Sequence, residues 1–410
     1  MSRLKRLADY AATIGITALT SLSMLLVVGV LARYLDRDEF TAYSVVTRYL
    51  GFIVMVCGMA LSFAFIRAAG RDDREAALRA AATARTLVAL VTAAMFVLFL
   101  VALLVVWRIE PGRVSWLTPF VYLWVMSQAS FNLSNPYARF IGGVRAYARL
   151  YLVSKVAAIL VAGASAALAG RYEVFFIVLG VISLLYQGWL WRDTRSVSPR
   201  RLDRTLARDL LRFSSSRWLD GLVRLSFPVV LITASGWFIG AGVAGSIAIV
   251  YLVAKSMESL LQPLVVAIMM RTTDRGQGAD GVGAACLVAG LITATVYLAR
   301  PLVEAAFGLY LGAAYAELVT SSWIVLLSAG SIIALNYLKA LNDNRFTVSP
   351  MMRVNLLSLV LLLGVGLCDS VPEVAVLIAV LHIGRFLLYT MVIGWPGGGR
   401  SLLGRRASNP

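Results

Sequence analysis

Ionisable side chains set inside apolar runs are where this sequence could do chemistry. Between Gly245 and Met269, Tyr251, Lys255, Glu258 and Gln262 recur at intervals of four, three and four, so a helix sets them in one stripe. Pro263 follows and removes a backbone hydrogen bond there. Arg217, Asp220 and Arg224 share a face of a second apolar stretch, with Pro228 one turn further on. Arg48, preceded by Ser44, stands in a third stretch, and His382, Arg385 and Tyr389 line one face of a fourth. Gln128, Asn132, Asn135 and Asn336 add uncharged hydrogen-bonding groups.

A charge at bilayer depth costs about 2.5–3.5 kcal/mol on insertion scales, so each needs a partner, water or a function. Lys255 with Glu258 and Asp220 with Arg224 are spaced for contact, and ion pairs between them are as good a reading as a binding role. Arg48 and Arg385 have no acidic neighbour close by on their own helices and read as substrate contacts. His382 reads as a hydrogen-bonded interior histidine. Arg48, Arg224, Lys255 and Arg385 against Asp220 and Glu258 leave a net charge of about +2, which favours a dianion in a low dielectric. The amides suit sugar hydroxyls, and they serve equally well as helix-to-helix contacts. Asp220 or Glu258 could hold a coupling proton or sodium ion; spacing alone leaves pairing open as well.

The chemistry that is missing narrows the field. No metalloprotease, nucleophile-elbow, phosphate-loop or dinucleotide pattern occurs, and one histidine with isolated acids leaves little for acid–base catalysis. Cys57, Cys286 and Cys368 are scattered through apolar runs with neither metal spacing nor a disulfide framework. The expectation is a protein that is not an enzyme and carries no cofactor or metal.

The elements that must hold these residues are membrane helices. Of 410 residues, 60% are hydrophobic and 14% charged, a balance that a soluble domain of this length could not cover with polar surface. Apolar runs near 8–31, 43–65, 87–107, 116–137, 150–168 and 174–191 give six spans, the fifth rich in Ala and Gly. Six more lie near 219–239, 245–269, 282–299, 319–341, 354–367 and 374–393. Between the sets, Arg192, Arg195, Arg200, Arg201, Arg204, Arg208, Arg212 and Arg217 are offset by only Asp193, Asp203 and Asp209. The expected organisation is an N-terminal six-helix bundle (1–191), a basic cytoplasmic connector (192–217), a C-terminal six-helix bundle (218–395) and a cytoplasmic tail (396–410).

The net charge of +17 collects in alternate short loops, as the positive-inside rule requires, so nucleic acid is not the expected partner. Arg67, Arg71, Arg74 and Arg79, Arg139, Arg145 and Arg149, Arg271 and Arg275, Arg345 and Arg353, and the tail arginines Arg400, Arg405 and Arg406 mark the cytoplasmic side, placing both termini there. A shift of 204 residues maps Asn132 onto Asn336, Arg149 onto Arg353 and Trp191 onto Trp395. The fold class that follows is an all-α polytopic membrane protein, twelve transmembrane helices in two six-helix bundles related by a parallel repeat. Two such bundles are expected to enclose a central cavity.

The opening of the chain then resembles a family. A basic tip, Ile14-Gly15 in a Thr/Ser-dotted first span, and Ala32-Arg33-Tyr34-Leu35 with Phe40 and Tyr43 leading into the second span are similar to the O-antigen flippases called Wzx. These form part of the MOP superfamily, which also includes MATE exporters and the lipid II flippase. The resemblance implies translocation of an undecaprenyl-pyrophosphate-linked oligosaccharide across the bacterial cytoplasmic (inner) membrane by alternating access. The glycan would be an O-antigen or exopolysaccharide repeat unit, and the implied partners are that lipid-linked glycan, the bilayer and other polysaccharide-assembly membrane proteins. Arg48, Arg224, Lys255 and Arg385 are the positions matched to the pyrophosphate. No basic residue lies inside the first span, which argues against lipid II as cargo. A MATE-type cation-coupled exporter shares the twelve-span plan but calls for acidic cavity residues, and a polysaccharide polymerase or ligase calls for larger outer loops.

Overall fold

A computed structural model describes residues 3–62, 65, 74–109, 115–140, 143–192, 204–260, 279–342 and 349–394. The protein is all-α. The first half runs α1 (Arg3–Tyr34), α2 (Arg37–Gly58), α3 (Arg74–Ile109), α4 (Tyr122–Phe140), a composite α5 and α6 (Tyr172–Leu190). α5 consists of Gly143–Tyr151, a π-helical stretch Leu152–Ala157, and Ala158–Ala169. The second half runs α7 (Arg204–Phe238), α8 (Ala241–Ser259), α9 (Ala279–Leu298), α10 (Arg300–Leu311), α11 (Val319–Leu326), α12 (Ala329–Asn342), α13 (Ser349–Leu361) with a 3₁₀ extension Leu362–Leu367, and α14 (Val371–Gly394).

Among the described residues, nine helices are long and apolar enough to cross a bilayer, and a bent pair makes ten. Tyr122–Phe140, diluted by its amides, and the shorter apolar stretch Met352–Leu367 complete the twelve. A shift of 204 residues carries α1 onto α7, α2 onto α8, α4 onto α12, α5 onto α13 with its extension, and α6 onto α14, to within a few residues. The parallel repeat is thus present in the helices themselves. Among the described residues, one departure from the repeat is a bend. α3 is a single helix of 36 residues, whereas its counterpart bends by 73° between Leu298 and Arg300. Pro301 is the cause: its ring fixes φ and cannot continue the helical ladder, and Val97 stands at the matching point of α3.

The chain divides into two compact units, Met1–Val229 and Val230–Pro410, with the division inside α7. The basic connector expected over 192–217 is helical from Arg204 onward and runs without interruption into the seventh span; 193–203 lie outside the described residues. So do Gln262 and Pro263 of the eighth-span stripe, the tail from 395 on, and the loop residues Arg67, Arg71, Arg271, Arg275 and Arg345.

Small residues let the helices of each unit close up. In the first unit α4 lies against α2, α3, α5 and α6. Gly180 of α6 meets the backbone of α4 so closely that a Cβ would sit 2.7 Å from the Leu123 carbonyl carbon and 2.8 Å from the Trp124 nitrogen. Gly163 of α5 packs on the Val27 side chain of α1, 2.6 Å from a notional Cβ. In the second unit Gly330 of α12 opposes the Ala289 carbonyl of α9 at 2.5 Å from a notional Cβ. Buried polar bonds add direction: Trp191 Nε1 donates to Ser134 Oγ at 2.7 Å, and Tyr122 Oη donates to the Thr92 carbonyl at 2.9 Å.

Candidate functional site

In the second unit the eighth-span stripe lies on one face of α8 from Tyr251 to Glu258. Lys255 Nζ donates to Glu258 Oε1 at 2.5 Å, one helical turn apart. The pair is lopsided in solvent: the Lys255 side chain is 41% exposed and that of Glu258 only 4%. The buried carboxylate is therefore covered by a cation whose stem reaches outward. Tyr251, Lys255 and Glu258 of α8 share with His382 of α14 a small cleft, with room for about one water molecule, that Val325, Leu326, Ala329 and Ile332 also line. The Tyr251 and His382 rings are 6.4 Å apart between centroids. His382 is buried, as an interior histidine should be.

Arg385 is buried on α14, one turn beyond His382. It donates a hydrogen bond to Asn355 Oδ1 of α13, itself buried. An amide oxygen satisfies part of the guanidinium without cancelling its charge. Asn336, on α12, is half-buried. The second unit thus gathers Tyr251, Lys255, Glu258 and His382 in one cleft, and holds Arg385 on the same helix as His382.

In the first unit the expected residues are more dispersed. Arg48 is half-buried on α2, and Asp220 is half-buried on α7. Arg224 is exposed, and the Asp220–Arg224 ion pair allowed by their spacing is not among the ion pairs of the described residues. α7 is instead seated by its apolar side. Trp218 Nε1 donates to the Met55 carbonyl at 3.1 Å, and Gly221 leaves room for the Met55 methyl, 1.8 Å from where a Cβ would stand. α2 ends just beyond, where Met59 and Ala60 take left-handed φ values of 44° and 51°.

The amides of α4 meet a residue that sequence reasoning passes over. Lys155 lies in the fifth span, read from its small residues as a packing helix, and its lone charge at bilayer depth was the available signal. Its Nζ donates to Gln128 Oε1 and stands 4.2 Å from the centroid of the Phe131 ring. Asn135 Nδ2 donates to the Tyr151 hydroxyl at 3.0 Å. Asn132 is exposed on α4, beside Gly58 of α2. Lys155 sits within the π-helical stretch, where the ladder is widened and the Ser154 carbonyl accepts from the Ser183 hydroxyl of α6 at 2.9 Å.

In the same unit, Arg171 bridges the first turns of α2 and α6. Its guanidinium reaches Glu173 at 3.1 Å and Glu39 at 3.4 Å, while Glu39 also accepts from the Tyr172 backbone N–H at 2.8 Å. Hydrogen bonding and charge from Glu173 raise the Arg171 pKa, so it is a cation at every working pH. No group of three or more potential metal ligands occurs among the described residues.

No protein-family model matches the sequence, and no curated protein matches it. Solved structures do. The chain is similar to an inward-facing multidrug resistance MATE family transporter of the MOP superfamily, with a TM-score of 0.66 at 14% identity over 90% of this chain and 93% of that one. It is similar to a MATE in complex with MaD3S, with a TM-score of 0.62 at 13% identity over 94% of both chains. A MATE in the bent conformation gives a TM-score of 0.56 at 13% identity, over 93% of this chain and 96% of that one. The chain has the MATE fold.

Proposed function

We propose that this MATE-fold chain is a flippase that carries a polyprenyl-pyrophosphate-linked oligosaccharide across the bacterial cytoplasmic membrane by alternating access. The observation that carries the reading is the charge at membrane depth. Lys155 has no carboxylate within ion-pair distance among the described residues, and buried Glu258 is already covered by Lys255. An exporter of organic cations needs an available carboxylate; a carrier of an anionic glycolipid needs cations that the protein itself leaves incompletely neutralised. Arg48, Arg224, Lys255 and Arg385 take the role of phosphate contacts, and Gln128, Asn132 and Asn336 that of hydrogen-bonding partners for sugar. Asp220 and Glu258 are the candidates for a coupling ion.

The likeness to multidrug exporters favours one second reading, a cation-coupled small-molecule exporter. Complementation separates the two. In a strain lacking its own O-antigen flippase, the wild-type chain is expected to restore surface polysaccharide, and well-expressed Arg48→Ala and Lys255→Ala variants are expected to fail. Rescue by all three keeps the flippase and discards these two contacts. No rescue across several glycan backgrounds, together with efflux of a cationic dye by the purified and reconstituted protein, overturns the flippase in favour of the exporter.

A further inference from the structure

Lys155 lies six residues beyond Arg149, the last arginine before its apolar run, about 9 Å along the helix and so within the apolar part of the span. An ammonium inside an apolar run needs a partner, and among the described residues this one faces the Gln128 amide oxygen and the Phe131 ring, with no carboxylate within ion-pair distance. Around it stand Asn135, Tyr147 and Tyr151. The Tyr151 ring meets Phe131 edge-on at 5.2 Å and Tyr147 at 4.8 Å. Lys155, Gln128, Asn135 and Tyr151 keep partial exposure, whereas Phe131 and Tyr147 are buried beneath them. The cluster therefore opens at the surface of the first unit, with its apolar part as a floor.

We propose that this cluster is a binding site for an acidic sugar, a pyranose bearing a carboxylate, within the carried glycan; the assignment rests on the flippase reading and narrows its cargo. The ammonium takes the carboxylate. The Gln128 and Asn135 amides take hydroxyls, and the aromatic edges and faces cover the apolar C–H face of the ring. A lone ammonium balances the single charge of a carboxylate, and the pyrophosphate is left to Arg48, Arg224, Lys255 and Arg385. The opened π-helical ladder sets Lys155 in the cluster, and the Ser183 hydroxyl stabilises that stretch from α6.

Full-length protein in lipid nanodiscs, titrated calorimetrically with tetragalacturonate, maltotetraose and glucose 6-phosphate, tests the site. Wild type is expected to bind tetragalacturonate about tenfold or more tightly than either other sugar. Lys155→Gln is expected to abolish that preference, and Lys155→Arg, which keeps the charge, to retain it within a few-fold and so separate loss of the ammonium from loss of the fold. Equal affinity for the neutral chain, no binding by wild type, or undiminished binding by Lys155→Gln would each overturn the site. Glucose 6-phosphate binding that depends on Lys155 as strongly would overturn the carboxylate in favour of phosphate. A chain that binds tetragalacturonate through Lys155 but fails complementation keeps this site and loses the flippase; one that complements while its acid binding ignores Lys155 loses the site alone.

Discussion

Gly180 and Gly384 occupy matching positions in α6 and α14, yet their surroundings are opposite. At Gly180 an added Cβ falls 2.7 and 2.8 Å from backbone atoms of α4; at Gly384 it meets nothing within 4 Å. Carbon contacts are comfortable at about 3.5–4.0 Å, so Gly180→Ala forces α6 and α4 apart by about 1 Å. Because both sides of the contact are backbone, no rotamer can absorb the strain, and the cost belongs near the top of the usual overpacking range, about 3 kcal/mol. Replacing glycine within a helix returns about 1 kcal/mol, leaving a net loss of about 2 kcal/mol. Gly384→Ala collects the propensity gain alone. For a unit the size of Met1–Val229, 1 kcal/mol moves the midpoint by about 2–4 °C, so Gly180→Ala is expected to melt about 4–8 °C below wild type. Gly384→Ala should melt at or slightly above wild type. Fluorescence-detected size-exclusion after heating in detergent reads both midpoints. Equal shifts for the two variants, or a Gly180→Ala protein as stable as wild type, would refute the close approach of α4 and α6. The same approach holds Gln187 Nε2 on the Ser127 carbonyl at 3.2 Å, so Gly180→Ala is also expected to loosen the Gln128–Lys155 cluster.

Three further outcomes follow from pairs and breaks already described. Lys255→Met leaves the nearly buried Glu258 carboxylate without its cation, so the double variant with Glu258→Gln should be more stable than Lys255→Met alone; a double-mutant cycle should show about 1 kcal/mol or more of coupling, and strict additivity would dissolve the pair. Arg171→Ala removes the partner of Glu173, whose side chain is 2% exposed, while the 43% exposure of Arg171 screens the interaction. Its midpoint should fall by a few degrees, and Arg171→Lys, which cannot fork between two carboxylates, should recover part of the loss. Pro301→Ala permits the helical ladder to run from α9 into α10, so spin labels at exposed Leu291 and Leu309 should move apart in pulsed-EPR distances; an unchanged distance would assign the bend to packing and not to proline.

How much of this could be read from residues alone depended on the range of the interaction. Hydropathy and loop charge are local sums, so the spans and the repeat were legible. The Lys255–Glu258 contact was too, because one turn of helix brings residues three apart together whatever surrounds them. The same rule allowed Asp220–Arg224, and there the helix seated its apolar side on α2 and left Arg224 outside. Arg385–Asn355 and Lys155–Gln128 join different helices across 30 and 27 residues, and no spacing rule reaches that far. Lys155 was nevertheless visible as a charge in an apolar run; attention to the small residues around it hid it. Pro301 likewise announced a break, but the size and direction of a bend depend on packing that the residue does not encode.

The broken ninth span has a consequence for the lipid. The stretch of α3 that matches it, Ala77–Arg108, rises about 48 Å, against a hydrocarbon core of about 30 Å. A helix of that length must lean, thicken the bilayer beside it or carry its basic end into the headgroups. Its counterpart turns by 73° after Ala279–Leu298, which rises about 30 Å, the thickness of the core itself. Two stretches that match in sequence therefore meet the same bilayer differently: one reaches past it, and the other turns where its partner runs on.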